Sequence, residues 1–426
     1  MKRFRVDKGM SEIHAYRTND IPAVSSGSHA AAMASRGART ISVEIADSAR
    51  LADVRAAWTS LLARADAPNM FMDPVLVRAA AATDPAARYC ALLAWKTIDG
   101  QRQLVGVWSF AVARPRQSAL PIRVLNVPPC AYSYLATPVI DRDGIDETLD
   151  AMLDCIAADA RLPKIMALDA MGAEGATYDA LMRVLSQRGS APCVMEQSRR
   201  PKLQSQLDGK AYLEKALSSS TRKKLRQHRR RLSEKGTVTS VVASEPEAVR
   251  RAFEDFLAIE AAGWKGREGT ALLSDQADAA FMRGAVVALA EQRCASVHSL
   301  CLDGKPVSVQ LVGRAGAAAF TWKTAYDEAY QDFSPGTLLL EDYTTAFLAD
   351  KSIGFVDSCS FDDRGFMATW TERQPVADLW IDVRLGGSLA FRVLCGAQRS
   401  YRLLRARAKS AYLAFRNFDW PKVFKR

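Results

Sequence analysis

Apolar and polar positions change period along this chain, and the changes mark out helices and strands. Leu51, Val54, Trp58, Leu61 and Leu62 share one face of a helix predicted over Leu51–Ala65. Tyr89–Trp95 and Leu104–Ala113 are apolar runs with Asp99-Gly100 between them, a dipeptide that favours a hairpin turn. Val124–Val127 and Ser133–Ile140 bracket a bend at Pro128-Pro129. Helices over Ile145–Asp159 and Gly175–Arg188 surround a strand at Lys164–Asp169, and Cys193–Gln197 reads as a further strand. The order then recurs. Lys210–Leu232 is helical in period, Thr237–Ala243 is a β-branched strand, and Glu245–Ala262 and Asp275–Gln292 are helices. Ala295–Leu302 and Val307–Arg314 form a second hairpin across Asp303-Gly304. Ala319–Thr324 is a strand, Tyr326–Phe333 a structured loop, and Pro335–Leu348 a helix with Leu338, Leu339, Tyr343 and Phe347 inward. Strands follow at Gly354–Ser358 and Ala377–Val383.

This repetition predicts two related α/β halves, Thr40–Pro201 and Lys202–Arg384. The fold class is α/β (α+β), with mixed, mostly antiparallel sheets flanked by helices. Met1–Arg39 is polar and aperiodic and reads as a disordered leader. Residues 385–426 read as a basic, amphipathic helical tail.

Composition narrows the class. A chain of 426 residues with a 49% hydrophobic fraction has room for two cores. No window approaches the ~18 uninterrupted apolar residues of a membrane span. The basic start MKRFRVDKGMSEIH is followed by no apolar stretch, so a secretory signal is not expected. Eight cysteines are scattered without a CxxC pair, which predicts reduced thiols in a cytoplasm and neither a disulfide frame nor a zinc site. The net charge of +11 is concentrated in two segments. Thr221–Lys235 carries eight Lys/Arg and one Glu, and Gly387–Arg426 carries ten Lys/Arg and one Asp, so the rest of the chain is mildly acidic. Claims about anionic partners rest on those two segments alone.

Ser334-Pro335-Gly336-Thr337 is a helix-start pattern. Ser334 is expected as N-cap, Pro335 suits N1, and the small residues leave main-chain N–H groups open to an anion such as a pyrophosphate. The segment carries neither GxGxxG nor a Walker lysine, so an ordinary capped helix is the competing reading. The basic helix Thr221–Leu232 is either a solvated face or an anion surface, and no stacking aromatics stand beside it to read nucleic acid. The tail either lies on an anionic membrane or packs its apolar face on the body. Four isolated histidines (14, 29, 228, 298) and a partnerless Cys359 form no metal set and no triad.

Four segments resemble GNAT-superfamily acyltransferases of the BioF-like, or CelD-like, acetyltransferase group, which are similar in turn to the FemAB aminoacyltransferases. They are TRKKLRQHRRRL, EAAGWKGREGTAL, SLCLDGKPVSVQLVGRAG and KTAYDEAYQDFSPGTLLLE, spanning about Ser218–Asp382. FMDPVLVRAA and GVWSFAVARP carry a weaker likeness in the first half. The resemblance implies two GNAT-like lobes and an acyl-CoA or acetyl-CoA donor, with no metal. Carried over, the donor-binding residues are Ser334, Pro335, Gly336, Thr337 and Leu338.

Acyl transfer to an amine needs a proton acceptor, a polarised carbonyl and a proton for the leaving thiolate. Asp327 and Glu260 are the candidate acceptors, Tyr326 the candidate donor, and Lys323 a candidate anion contact. Each has a structural alternative: Asp327 as a turn cap, Tyr326 as core filler, Glu260 as a solvated carboxylate. The resemblance puts Trp264 and Lys265 beside the acceptor cleft, and Arg222 and Arg226 on the basic helix are candidate substrate contacts. The expected function is N-acyl transfer from acyl-CoA to a small-molecule or glycan amine, in polysaccharide or cell-envelope metabolism. The expected location is the cytoplasm, with the inner membrane face reached through residues 387–426. The alternatives are a Fem-like transferase using charged tRNA, the one nucleic-acid partner considered, and a non-enzymatic membrane-surface scaffold.

Overall fold

A computed structural model describes residues 40–360 and 365–416, with burial described as far as Ala411. The leader expected over Met1–Arg39 and the last ten residues of the tail lie outside the described residues. The first half contributes β1 (Ile41–Ala46), β2 (Arg88–Ile98), β3 (Gln101–Ala113), β4 (Val124–Val127), β5 (Val139–Ile140), β6 (Ile165–Gly172) and β7 (Cys193–Leu203). The second contributes β8 (Val238–Ala243), β9 (Ala295–Leu302), β10 (Lys305–Ala315), β11 (Ala318–Tyr326), β12 (Phe355–Asp357) and β13 (Glu372–Asp382).

These strands form one sheet in the order β1-β2-β3-β4-β6-β13-β7-β12-β11-β10-β9-β8, with β5 paired to β3. The same plan is laid down twice. β1 to β4 and β8 to β11 are antiparallel meanders. Both contain a two-residue hairpin whose Asp and Gly take positive φ: 50° and 76° at Asp99-Gly100, 49° and 77° at Asp303-Gly304. That geometry matches strand twist and is why Asp-Gly recurs there. Each meander is followed by a helix, Ile145–Ala158 or Pro335–Ala349, and then by a strand parallel to the meander's last one. A parallel neighbour requires a crossover, and the helix supplies it.

The halves are joined edge to edge. β7 pairs with β13 along one side and with β12, through Val356 and Asp357, along the other. β13 comes from the end of the sheet-forming chain yet inserts between β6 and β7. Period alone cannot show this, because strand partners are chosen by long-range pairing. One core packs Trp58, Phe71, Trp108 and Phe320. A second lies under the helices Ser219–Ser233 and Pro335–Ala349, around Leu225, Leu338, Tyr343 and Trp370. The single helix expected over Lys210–Leu232 is two, Gly209–Ala216 and Ser219–Ser233. The break falls where Ser218 Oγ accepts the Thr221 N–H at 3.1 Å and caps the second helix.

Arg200 on β7 and Asp357 on β12 form a fully buried ion pair at the join. Arg200 also donates to the Tyr134 carbonyl at 2.6 Å, and Asp357 Oδ1 accepts the Cys359 N–H at 2.8 Å. Removing one partner strands the other charge in a dry interior. Asp357→Leu is expected to destabilise the protein by about 3–5 kcal/mol in urea unfolding, with Arg200→Met/Asp357→Leu recovering much of that loss.

Candidate functional site

β11 is the strand on which the site is built. It pairs with parallel β12 only from Ala318 to Phe320 and then runs on to Tyr326 without it. Its register with β10 slips between Leu311↔Lys323 and Val312↔Thr321, so Trp322 is an extra residue in a bulge. Gln310, buried on β10, holds the bulge by donating from Nε2 to the carbonyls of Leu311 (2.9 Å) and Lys323 (3.0 Å). The bulge brings two consecutive side chains to one residue of the first half. Trp322 Nε1–H donates to the Tyr132 carbonyl at 2.6 Å, and Lys323 Nζ lies 4.7 Å from the centre of the Tyr132 ring.

Lys323 also lies 3.7 Å from Glu260, at the end of the helix Pro246–Ala262. Lys265 reaches the same carboxylate oxygen at 3.0 Å, and the other oxygen accepts the Leu272 N–H at 2.8 Å. A tight turn carries Lys265 back. A Cβ on Gly266 would stand 1.7 Å from the Ala261 carbonyl oxygen, so glycine alone fits there. Burial pushes the Glu260 carboxyl up, but Lys323, Lys265 and the Leu272 amide outweigh it and the net shift is downward. A carboxylate so held is a poor proton acceptor and a good anchor for two cations. Beside it, the Tyr132 hydroxyl donates to Asp278 at 2.8 Å. Burial and that carboxylate raise the phenol's pKa, so it stays protonated.

Beyond the end of β11, Asp327 accepts the Ala329 N–H at 2.9 Å and caps the 3-10 turn Glu328–Phe333. Glu328 accepts the Trp264 N–H at 2.6 Å and pairs with Arg267 at 2.7 Å, tying this loop to the Trp264 segment. Trp264 is 37% exposed and Tyr326 38%. The helix Pro335–Ala349 starts as expected, but Ser334 makes no side-chain cap. Ser334 closes the 3-10 turn in the left-handed region at φ 50°, which denies it the extended backbone of a capping serine. Its carbonyl accepts the Thr337 and Leu338 N–H groups at 3.0 and 3.1 Å. Among the described residues the Gly336 N–H has no acceptor, and Gly336 and Thr337 are half-buried. The nearest atom to a Cβ on Gly336 would be Tyr326 Cδ1, at 4.0 Å.

The basic helix Ser219–Ser233 packs against this region. Arg229 pairs with Asp342 at 2.7 Å and donates to the Leu338 carbonyl at 3.2 Å, while Arg231 lies 5.4 Å from the Phe333 ring centre. Arg222 pairs with Glu214 at 3.6 Å, apart from the Glu260 cluster. Arg226 is exposed and acts through space on Glu341.

The structure therefore gathers Glu260, Lys265 and Lys323, sets Tyr326 beside Gly336, and leaves Asp327 as a turn cap. Tyr132, Asp278 and Gln310 escaped the sequence reading. A lone amide in the apolar strand VSVQLVG is the signal that marks Gln310; no comparable signal marks the other two. Burial drives His298 down to about 4, so it is a neutral core residue, and it pushes the Cys359 thiol well up. Among the described residues no three His, Cys, Asp or Glu side chains gather closely enough to hold a metal ion. A surface cavity of about 470 Å³ lined by Asp47, Arg88, Tyr89 and Arg161 shares no residue with this cluster.

Residues 219–357 match the acetyltransferase (GNAT) domain family, a span from the basic helix to β12 that contains Glu260, Lys265, Lys323 and the Gly336 turn. The match lies wholly within the second half of the chain. FemX shares its fold at a TM-score of 0.53 and 13% identity, over 77% of this chain and 95% of FemX. A tandem GNAT protein of the clavulanic acid biosynthesis pathway aligns at a TM-score of 0.41 and 12% identity, over 82% of this chain and 99% of that one. No curated protein matches the chain in sequence.

The lowered Glu260 carboxyl contributes stability that is fully present above the ordinary glutamate value of 4.5 and is lost as pH falls through its lower folded value. Urea midpoints of the parent protein and Glu260→Gln are therefore expected to differ most near neutrality and to converge below that pH. A gap that widens on acidification would contradict the assignment.

Proposed function

We propose that this protein is a cytoplasmic N-acyltransferase that moves an acyl group from acyl-CoA to an amine of a small molecule or glycan, in polysaccharide or cell-envelope metabolism. The observations that support this reading are the parting of β11 from β12 after Phe320 and, beside Tyr326 at that strand's end, a Gly336 amide with no acceptor among the described residues. A helix head with a free N–H and no Cβ favours a phosphate group. On the same strand, three residues before Tyr326, Lys323 pairs with Glu260 and lies over the Tyr132 ring. In the reaction the amine nitrogen bonds to the thioester carbonyl carbon, the C–S bond breaks, the amine loses a proton and the thiolate gains one. Tyr326, half-exposed beside Gly336, is the candidate phenol to protonate that sulfur. Lys323 and Lys265, held by Glu260, offer positive charge to an anionic part of donor or acceptor.

Titration calorimetry with acetyl-CoA and longer acyl-CoAs tests the reading. Binding is expected, and Gly336→Glu is expected to weaken it at least tenfold by setting a carboxylate against the phosphates. Absence of heat with every acyl-CoA would overturn the proposal. A charged-tRNA donor is the second reading, favoured by the exposed Lys223, Lys224, Arg226 and Arg230. It predicts that Lys223→Ala/Arg230→Ala flattens the salt dependence of tRNA binding by about two phosphate contacts, and unchanged salt dependence would exclude it.

A further inference from the structure

The last helix, Leu389–Arg416, has two unlike sides. Phe391, Cys395 and Gln398 recur at helical spacing and are buried. Gln398 accepts from Ser118 Oγ at 2.7 Å and donates to the Gln117 carbonyl at 3.1 Å. Arg399 donates to the Val194 carbonyl at 2.9 Å, and Arg402 pairs with Asp378 at 2.7 Å. This side fastens the helix to the body.

Among the described residues the opposite side has no such partner. Leu389, Val393, Leu403 and Leu404 are 75%, 65%, 62% and 64% exposed, and their spacing sets them in one stripe. With Leu385 they make five of the twelve large hydrophobic side chains that stand exposed among the described residues, so the exposure is local and not scattered. Charge is equally one-sided. Leu385–Ala411 contains six Lys/Arg and no Asp or Glu. Arg392 is exposed along one flank of the stripe, and Arg407 is exposed one turn beyond it.

We propose that this helix docks the protein on an anionic lipid surface, with the Leu389–Leu404 stripe entering the headgroup boundary and the flanking arginines meeting lipid phosphates. Exposed leucines with cations and no acid suit an anionic bilayer surface, where apolar burial and charge attraction add. Sixteen residues of helix extend roughly 24 Å. One face of that length offers far less than the ~800 Å² per partner of a stable protein interface, which weighs against a second copy of the chain as occupant. No helix among the described residues is long and apolar enough to cross a membrane, so the mode is attachment on the surface.

The test is sedimentation of the full-length protein with vesicles of phosphatidylcholine alone or with one-third phosphatidylglycerol. At least tenfold stronger binding to the anionic vesicles is expected. Leu403→Glu/Leu404→Glu should reduce it at least tenfold, and Arg392→Glu/Arg407→Glu should reduce it and weaken its salt sensitivity. All four side chains are exposed, and an unchanged melting temperature checks that each variant is folded. Binding that is absent, equal on both vesicles or unaffected by Leu403→Glu/Leu404→Glu overturns the proposal. So does a dimer, seen by analytical ultracentrifugation, that the leucine variant alone disperses.

Discussion

A strand that loses its neighbour partway along must satisfy its main chain by other means, and β11 is such a strand. Three residue pairs hold it to β12, and six further residues leave that partner behind. Thr321 softens the parting by donating its hydroxyl to the Ser358 carbonyl at 3.0 Å. Past that point β11 has no β12 partner, and the groups along that edge turn to other partners. The bulge at Trp322 belongs to the same device. By adding one residue it twists the strand and sends Trp322 and Lys323 toward the same tyrosine.

Electrostatics then shape the cluster around Lys323. A buried carboxylate is costly unless paired, and Glu260 is met by two lysines and an amide. The same groups that make its burial tolerable favour its ionised form and let it anchor the two lysines. The wall opposite comes from the first half, through Tyr132, so the matched GNAT segment does not complete the site by itself. Tyr132 is fixed from three directions: its carbonyl by Trp322, its hydroxyl by Asp278 and its ring by Lys323.

Local physics was readable from the chain, and long-range physics was not. Both Asp-Gly hairpins, the helices at Ile145, Gly175 and Pro335, and the basic helix with Leu225 and Leu232 inward follow from turn chemistry and period. Glu260, Lys265 and Lys323 could be singled out because they lie in segments with a family likeness. The insertion of β13 beside β6 has no local cause to read, since its apolar run would suit any central position in a sheet. Ser334 misled for a different reason. Its residue type suits a cap, but the preceding 3-10 turn had already committed its backbone to the left-handed region.

The crossed connectivity also bears on the last helix. β13 ends at Asp382 between β6 and β7, near the centre of the whole sheet, so the chain emerges there and not at the rim of the second half. The helix lies across β7 and β13, held by Arg402 to Asp378 and Glu196 and by Phe391 and Cys395 against Cys193 and Trp380. Sequence alone offered packing on the body and contact with a membrane as rivals. A helix has two sides, and here the first role uses one of them. The strand that ties the halves together is thus also the floor under the helix, so its outward stripe is held in fixed relation to β7 and β13. A surface that binds the stripe fixes the orientation of those strands as well.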